Sequence, residues 1–198
     1  MKNEYLKKGR VKQKQETREK ILCSAQELMN YGEKFTLEDV AEKVGVSRAT
    51  IYRYYSNIDI LSAEAGIDIN TKKPITIYEN LQGLKIKDKI LGVQEYYNNL
   101  ALDNENAFRA YLSIVLTSNS QLTKRGARRS KTLKMVLDET NLKKTEIKNL
   151  KNLFTVLMGI EPLIVSKDVC GLNNDESKEL LKWGMELLLK GISIDESK

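Results

Sequence analysis

Residues 37–55 read LEDVAEKVGVSRATIYRYY, and the pattern inside this stretch decides the fold. Apolar side chains stand at Leu37, Val40, Val44, Val46, Ile51 and Tyr54. Ala41 is small at the point where two helices must approach, and Gly45 sits at the corner, where a left-handed backbone costs least for glycine. Two helices crossing at about 90–120° through a three- or four-residue turn touch only if the crossing residue is small, so the stretch predicts a helix-turn-helix. The second helix, capped by Ser47, buries one face and exposes Ser47, Arg48, Ala49, Thr50, Tyr52 and Arg53. That face holds arginines and hydroxyls and no carboxylate, a set suited to phosphates and base edges in a major groove. An ordinary helical hairpin with a glycine corner explains the apolar positions equally well. It does not explain why the second helix shows no acid on its exposed face while the first carries Glu38, Asp39 and Glu42.

Working outward, Thr36 stands as N-cap of the first of these helices, and the early Glu38 and Asp39 suit the positive helix end. Upstream, Ile21, Leu22, Ala25, Leu28 and Met29 mark an amphipathic helix over Gln15–Tyr31, stopped by Gly32. Residues 1–12 are polar and expected to be frayed. Downstream, Asn57 and Asp59 open a fourth helix to about Asp68, and NTKKPIT (70–76) breaks it through Pro74. Periodicity resumes at Ile86 and runs through Ile90, Val93, Tyr97 and Leu100. DNEN (103–106) is a turn before AFRAYLSIVL. A basic helix is expected over 123–138, and two apolar helices over 145–166 and 174–193. No segment has the two-residue period of a strand.

Composition agrees with an all-α chain. The 198 residues are 41% hydrophobic and 30% charged, with two prolines and eleven glycines. That is globular rather than disordered, and large enough for an ordinary core. No apolar run approaches the roughly 18 residues that would span a bilayer, so no membrane role is expected. The basic N-terminus leads into no apolar signal core, which places the chain in the cytoplasm. Histidine is absent, which removes His-based triads and His–metal sites. Cys23 and Cys170 have no metal spacing and are expected as reduced core residues. With no glycine-rich phosphate loop and no nucleophile–base constellation, the chain is read as a non-enzyme without cofactor or metal. The formal charge of +6 is concentrated. Residues 1–20 carry Lys2, Lys7, Lys8, Arg10, Lys12, Lys14, Arg18 and Lys20 against Glu4, Glu16 and Glu19, and 117–137 carry basic residues from Lys124 to Lys134 with no acid. Polyanion binding requires such concentration, although a solubilising tail and a solvated helix face would look the same.

REKILCSAQELMNYG, followed by FTLEDVAEKVGVSRATIYRYYSNIDIL, resembles the N-terminal domain of the TetR family of bacterial transcriptional regulators over about residues 16–64. RGARRSKTLKMVL and LKNLFTVLMGIEPLIV resemble a subset of that family less specifically. The resemblance implies a helix-turn-helix DNA-binding domain over 13–58 and a helical ligand-binding and dimerisation domain over 59–198. It implies a homodimer that binds a palindromic double-stranded DNA operator, with a small-molecule effector. By position, Thr36 becomes a cap and phosphate contact, and Ser47, Arg48, Ala49 and Thr50 the groove-facing start of the recognition helix. Tyr52 and Tyr54 become backbone contacts. Arg53, Lys14 and Arg18 complete the expected DNA-binding set. The family commonly has lysine at the start of the fourth helix. Here Ile58 stands there, and Asn57 or the basic first twenty residues are the candidates to compensate.

In the C-terminal part, Leu150, Leu153, Phe154, Leu157, Ile160 and Ile164 form one stripe, and Leu180, Leu181, Met185, Leu188 and Leu189 another, with Gly159, Gly184 and Gly191 permitting close approach. Burial within one chain explains part of this, and the resemblance assigns the remainder to a dimer interface. Tyr97, Phe108, Tyr111, Met135, Phe154, Met158 and Trp183 are candidates for the walls of a ligand pocket. Aromatics and methionines at helical spacing are also ordinary core. Their character suits a largely apolar effector. A ligand-responsive repressor is the leading reading; an activator, or a DNA-binding protein that senses nothing, are the alternatives.

Overall fold

The computed structural model describes residues 2–31, 34–117 and 127–192, with backbone alone for 2–12, 15, 69 and 127. All regular elements among these residues are helices. Gly32, Lys124 and Arg125, invoked above, lie outside the described residues. The chain forms two compact units. The first takes the chain to Asn70 and again from Asn106; the second takes Thr71–Glu105 and the chain from the basic helix onward.

In the first unit, α1 spans Lys2–Asn30. It begins at Lys2 rather than near Gln15, which corrects the expected start of the helix. Lysine, glutamine, glutamate and arginine favour helix, but they carry no apolar stripe for periodicity to detect. α2 is Leu37–Val44, α3 Arg48–Tyr52, α4 Ile58–Asn70 and α7 Glu105–Thr117. α1 packs on α4 and α2, and α2 on α3. The core unites Ile21, Leu22 and Ala25 of α1, Leu37, Val40 and Ala41 of α2, Ile51, Tyr55, and Ile60, Leu61 and Ala65 of α4, with Tyr111, Ile114 and Val115 of α7 against it. Asn57 Oδ1 caps α4 by accepting from the Ile60 N–H at 2.9 Å. Ile58 is half-buried against the same core, so its apolar character has a packing reason. Cys23 is exposed, and so is Cys170, which corrects their expected burial. At about 100° per residue, position 23 falls opposite the stripe of Ile21, Leu22 and Ala25.

The second unit contains α5 (Pro74–Glu79), α6 (Ile86–Asp103), α8 (Ala127–Leu137), α9 (Lys144–Val156), α10 (Ile160–Ile164) and α11 (Asn174–Lys190), with a π-helical turn at Val165–Val169. Pro74 opens α5 at the position where its missing N–H is harmless. Ile77, Ile86, Ile90, Val93, Tyr97, Leu133, Val136, Leu137, Phe154, Met158, Met185 and Leu189 form the core. Lys89 is buried beside them and donates to both carboxylate oxygens of Glu139, at 2.9 and 2.6 Å.

The single helix expected over 145–166 is interrupted. α9 ends at Val156, and Gly159 turns the chain with φ of 86° before α10 begins. Pro162 has no N–H to give the Met158 carbonyl four residues back. Arg129 Nη1 donates to that carbonyl instead, and the same guanidinium grips Glu161 through two bonds of 2.9 and 3.0 Å. From α6, Gln94 donates to the Leu157 carbonyl at 2.9 Å, and Asn98 Oδ1 accepts from the Gly159 N–H at 2.8 Å. The polar groups released by the break are thus taken up by α6 and α8, as buried backbone groups require.

Two glycine substitutions separate backbone strain from packing. Gly45 (φ 75°) has open space beside its Cα, so Gly45→Ala should cost only the left-handed backbone penalty, about 1–2 kcal/mol. At Gly159 an added methyl meets the Arg129 guanidinium. Gly159→Ala should therefore cost more, by about 1 kcal/mol or above, as Arg129 is displaced from its acceptors. Urea denaturation of the full chain, compared with wild type, checks the order.

Candidate nucleic-acid interface

The candidate surface is built by two caps and one corner. Thr36 caps α2: its Oγ1 accepts from the Asp39 N–H at 3.3 Å, while the Asp39 carboxylate accepts from the Thr36 N–H at 2.7 Å and its hydroxyl at 2.8 Å. These bonds, the side-chain one foremost, hold the Asp39 carboxyl below its ordinary pKa. At the other end, Gly45 adopts φ of 75°, its N–H reaching Ala41 and Glu42 carbonyls. Val46 N–H then returns to the Ala41 carbonyl at 2.9 Å. Ser47 opens α3, its Oγ accepting from the Thr50 N–H at 3.2 Å and lying 2.8 Å from the Thr50 hydroxyl.

Ile51 is fully buried, and this fixes the rotation of α3. Ser47, Arg48, Ala49, Tyr52 and Arg53 are exposed, while Thr50 and Tyr54 are half-buried. Tyr54 packs against the core. Arg48 is 76% exposed at the side chain; it forms an ion pair with Glu38, Nε standing 2.8 Å from Oε1, and its guanidinium lies 5.7 Å from the centre of the Tyr52 ring. The Tyr52 hydroxyl donates to the same Glu38 oxygen at 3.0 Å. Glu38 was read above only as a favourable charge at a helix end. Its pairing with Arg48 spans ten positions and a turn, so no helical spacing reveals it.

The two basic residues assigned to α1 part ways. Lys14 is exposed. Arg18, expected on phosphate with it, is turned into the unit: it pairs with Glu64 of α4 and lies 5.8 Å from the centre of the Tyr55 ring, with 27% of its side chain exposed. Burial, and then the Glu64 charge, raise the Tyr55 hydroxyl well above its ordinary pKa. The sequence shows the arginine but not that an acid on α4 stands opposite it.

The proposed pocket residues are distributed over both units. Phe108 and Tyr111 belong to the first, both half-buried, with Tyr111 against its core. Tyr97, Phe154 and Met158 meet in the core of the second, and Met135 is half-buried on α8. The Tyr97 hydroxyl lies 3.1 Å from Thr132 Oγ1, and burial raises its pKa to about 12. Trp183 is 58% exposed on α11. Phe154, placed by its stripe at a dimer interface, is enclosed within its own unit, as are Leu181, Met185 and Leu189.

Among the described residues no group of three or more potential metal ligands comes together, and no helix is long and apolar enough to cross a membrane. Residues 31–65 match a family model described as bacterial regulatory proteins, tetR family. No curated protein and no solved structure matches the chain.

The cap of α2 should be pH-dependent. A carboxyl whose folded pKa is depressed contributes stability above its unfolded pKa, near 3.9, and loses it as pH falls through the folded value. Thr36→Ala should therefore lower Tm at neutral pH, and the gap to wild type should narrow as pH falls below the ordinary aspartate range, down to the part owed to the bond that the Thr36 hydroxyl accepts from the Asp39 N–H. Thermal unfolding followed by circular dichroism over a pH series measures this.

Proposed function

We propose that this chain is a DNA-binding transcriptional regulator of the TetR family, whose model matches residues 31–65, and that it is a repressor that reads a palindromic operator as a homodimer and is released by a small, largely apolar molecule. The observation that carries the DNA-reading part is the outward face of α3. Ser47, Arg48, Ala49, Tyr52 and Arg53 are presented together because Ile51 is buried on the opposite side. Thr36 at the start of α2 and Lys14 on α1 supply further hydrogen-bonding and positive groups for phosphate, which position a protein on DNA without reading sequence.

For a homodimer, the supporting feature is the outer face of α11. Leu180, Trp183 and Leu187 are exposed large apolar side chains, and Gly184 between them has no heavy atom within 4 Å of where a Cβ would stand. Their spacing of three and four residues makes one stripe, and Val165 and Val169 on the π turn are exposed as well. Apolar exposure of this kind marks association surfaces, and a two-fold contact is the commonest in homo-oligomers. For the effector, Tyr97, Phe154, Met158 and Met135 supply the aromatic and thioether surroundings that a largely apolar molecule would enter in the second unit. A ligand acts as inducer only to the extent that it prefers the DNA-incompetent state. The close enclosure of Phe154 and Met158 also suits the reading in which the protein binds DNA and senses nothing.

Two measurements test the proposal. Trp183→Glu leaves an exposed site charged and should yield monomers by light scattering at micromolar concentration, with the fold intact by circular dichroism; wild type found only as monomer defeats the homodimer. On a duplex selected from a random library by the wild-type protein, Arg48→Ala should relax preference at one base pair per half-site, by about 1–3 kcal/mol. Lys14→Ala should weaken all duplexes about equally and flatten the dependence of log affinity on log salt.

A further inference from the structure

We infer that Glu38 is a positioning residue for base reading: it holds Arg48 in the orientation that reads a guanine before DNA arrives. The inference rests on the reading that α3 enters a major groove. Arg48 pairs with Glu38 through Nε, which stands 2.8 Å from Oε1. Because the pairing is made through Nε, the two terminal nitrogens of the guanidinium remain available as a fork, and such a fork matches the O6 and N7 acceptors of guanine. Tyr52 fixes the same group from a second side. Its hydroxyl donates to the same Glu38 oxygen at 3.0 Å, and its ring lies 5.7 Å from the Arg48 Cζ.

Glu38 is itself well anchored. It stands in the first turn of α2, next to buried Leu37 and two residues before buried Val40, behind the Thr36–Asp39 cap. Arg48, by contrast, is an exposed long side chain whose ordering on binding would oppose affinity. A carboxylate placed against DNA repels phosphate, so its presence on this surface calls for a compensating role. Holding Arg48 supplies one, because an arginine tethered through Nε discriminates bases by geometry, while an untethered one swings to the nearest phosphate.

The test uses the full-length protein, the duplex selected from a random library by wild type, and its single-base variants. Glu38→Ala should reduce discrimination at the base pair that Arg48 reads by roughly three- to tenfold, a part of what a bidentate arginine supplies. Discrimination elsewhere should be unchanged. Glu38→Gln keeps an acceptor at the same reach and should retain most of the ranking. In an Arg48→Ala background Glu38→Ala should change the ranking no further. NMR relaxation of the Arg48 Nε–H in the DNA-free protein should show an ordered side chain in wild type and a mobile one in Glu38→Ala, with thermal unfolding confirming that both variants fold. If both Glu38 variants bind every duplex more tightly with the ranking intact, Glu38 only repels phosphate and the inference is overturned. It is overturned equally if Glu38→Ala alters a different base pair additively with Arg48→Ala, since Glu38 would then read a base itself. If Arg48→Ala alone leaves the ranking unchanged, the assignment of Arg48 as reader fails first and takes the inference with it; if Arg48→Ala relaxes the ranking and Glu38→Ala does not, the inference alone fails.

Discussion

The burial of Ile51 is the contact on which the outward face of α3 depends. α3 has five residues, far fewer than the dozen or so an isolated helix needs to persist in water. It exists because Ile51 is inserted among Ile21, Val40 and Leu61, because Tyr55 follows it into the same core, and because Ser47 supplies the first hydrogen bond. A fully buried isoleucine contributes about 1.5–3 kcal/mol. The same insertion decides which side chains face out. Ala41 keeps α2 close enough for the insertion to be made, and Gly45 gives the chain the turn that brings α3 across.

The second unit obeys a different constraint. Its apolar core would be served by a continuous helix from Lys144 onward, but Pro162 lacks the N–H such a helix needs, and the chain turns at Gly159. The polar groups freed by the break fall inside the unit, where an unpaired one costs about 1–3 kcal/mol. Gln94, Asn98 and Arg129 are thereby committed to fixed partners. Lys89 and Glu139 form a further enclosed ion pair, in which loss of either partner alone would strand a charge.

Much of the first unit was legible because its instructions are local. Thr36, Ala41, Gly45 and Ser47 each do within a few residues what their chemistry suggests, and the stripe of Ile21, Leu22 and Ala25 announces its buried face. What escaped is set by partners distant in sequence. Arg18 and Lys14 look alike as basic residues of one helix; only the presence of Glu64 opposite one of them separates structural from exposed charge. Glu38 meets Arg48 across a corner, beyond the reach of helical spacing. The break at Gly159 was hidden because the apolar stripe continues across it, although Pro162 stood in the sequence as the sign of a helix that could not run through. Trp183 shows the converse: an aromatic at helical spacing suggests enclosure, while its neighbours leave it on the surface.

Cys23 lies in the first unit and Cys170 in the second, both exposed and unpaired, and the sequence has no third cysteine. The natural chain therefore accepts one thiol-directed probe in each unit without any substitution. A donor and acceptor fluorophore attached there convert the relation between the DNA-reading and C-terminal units into an optical signal. The wild-type protein thus carries its own reporter of whatever operator DNA or an added small molecule does to that relation.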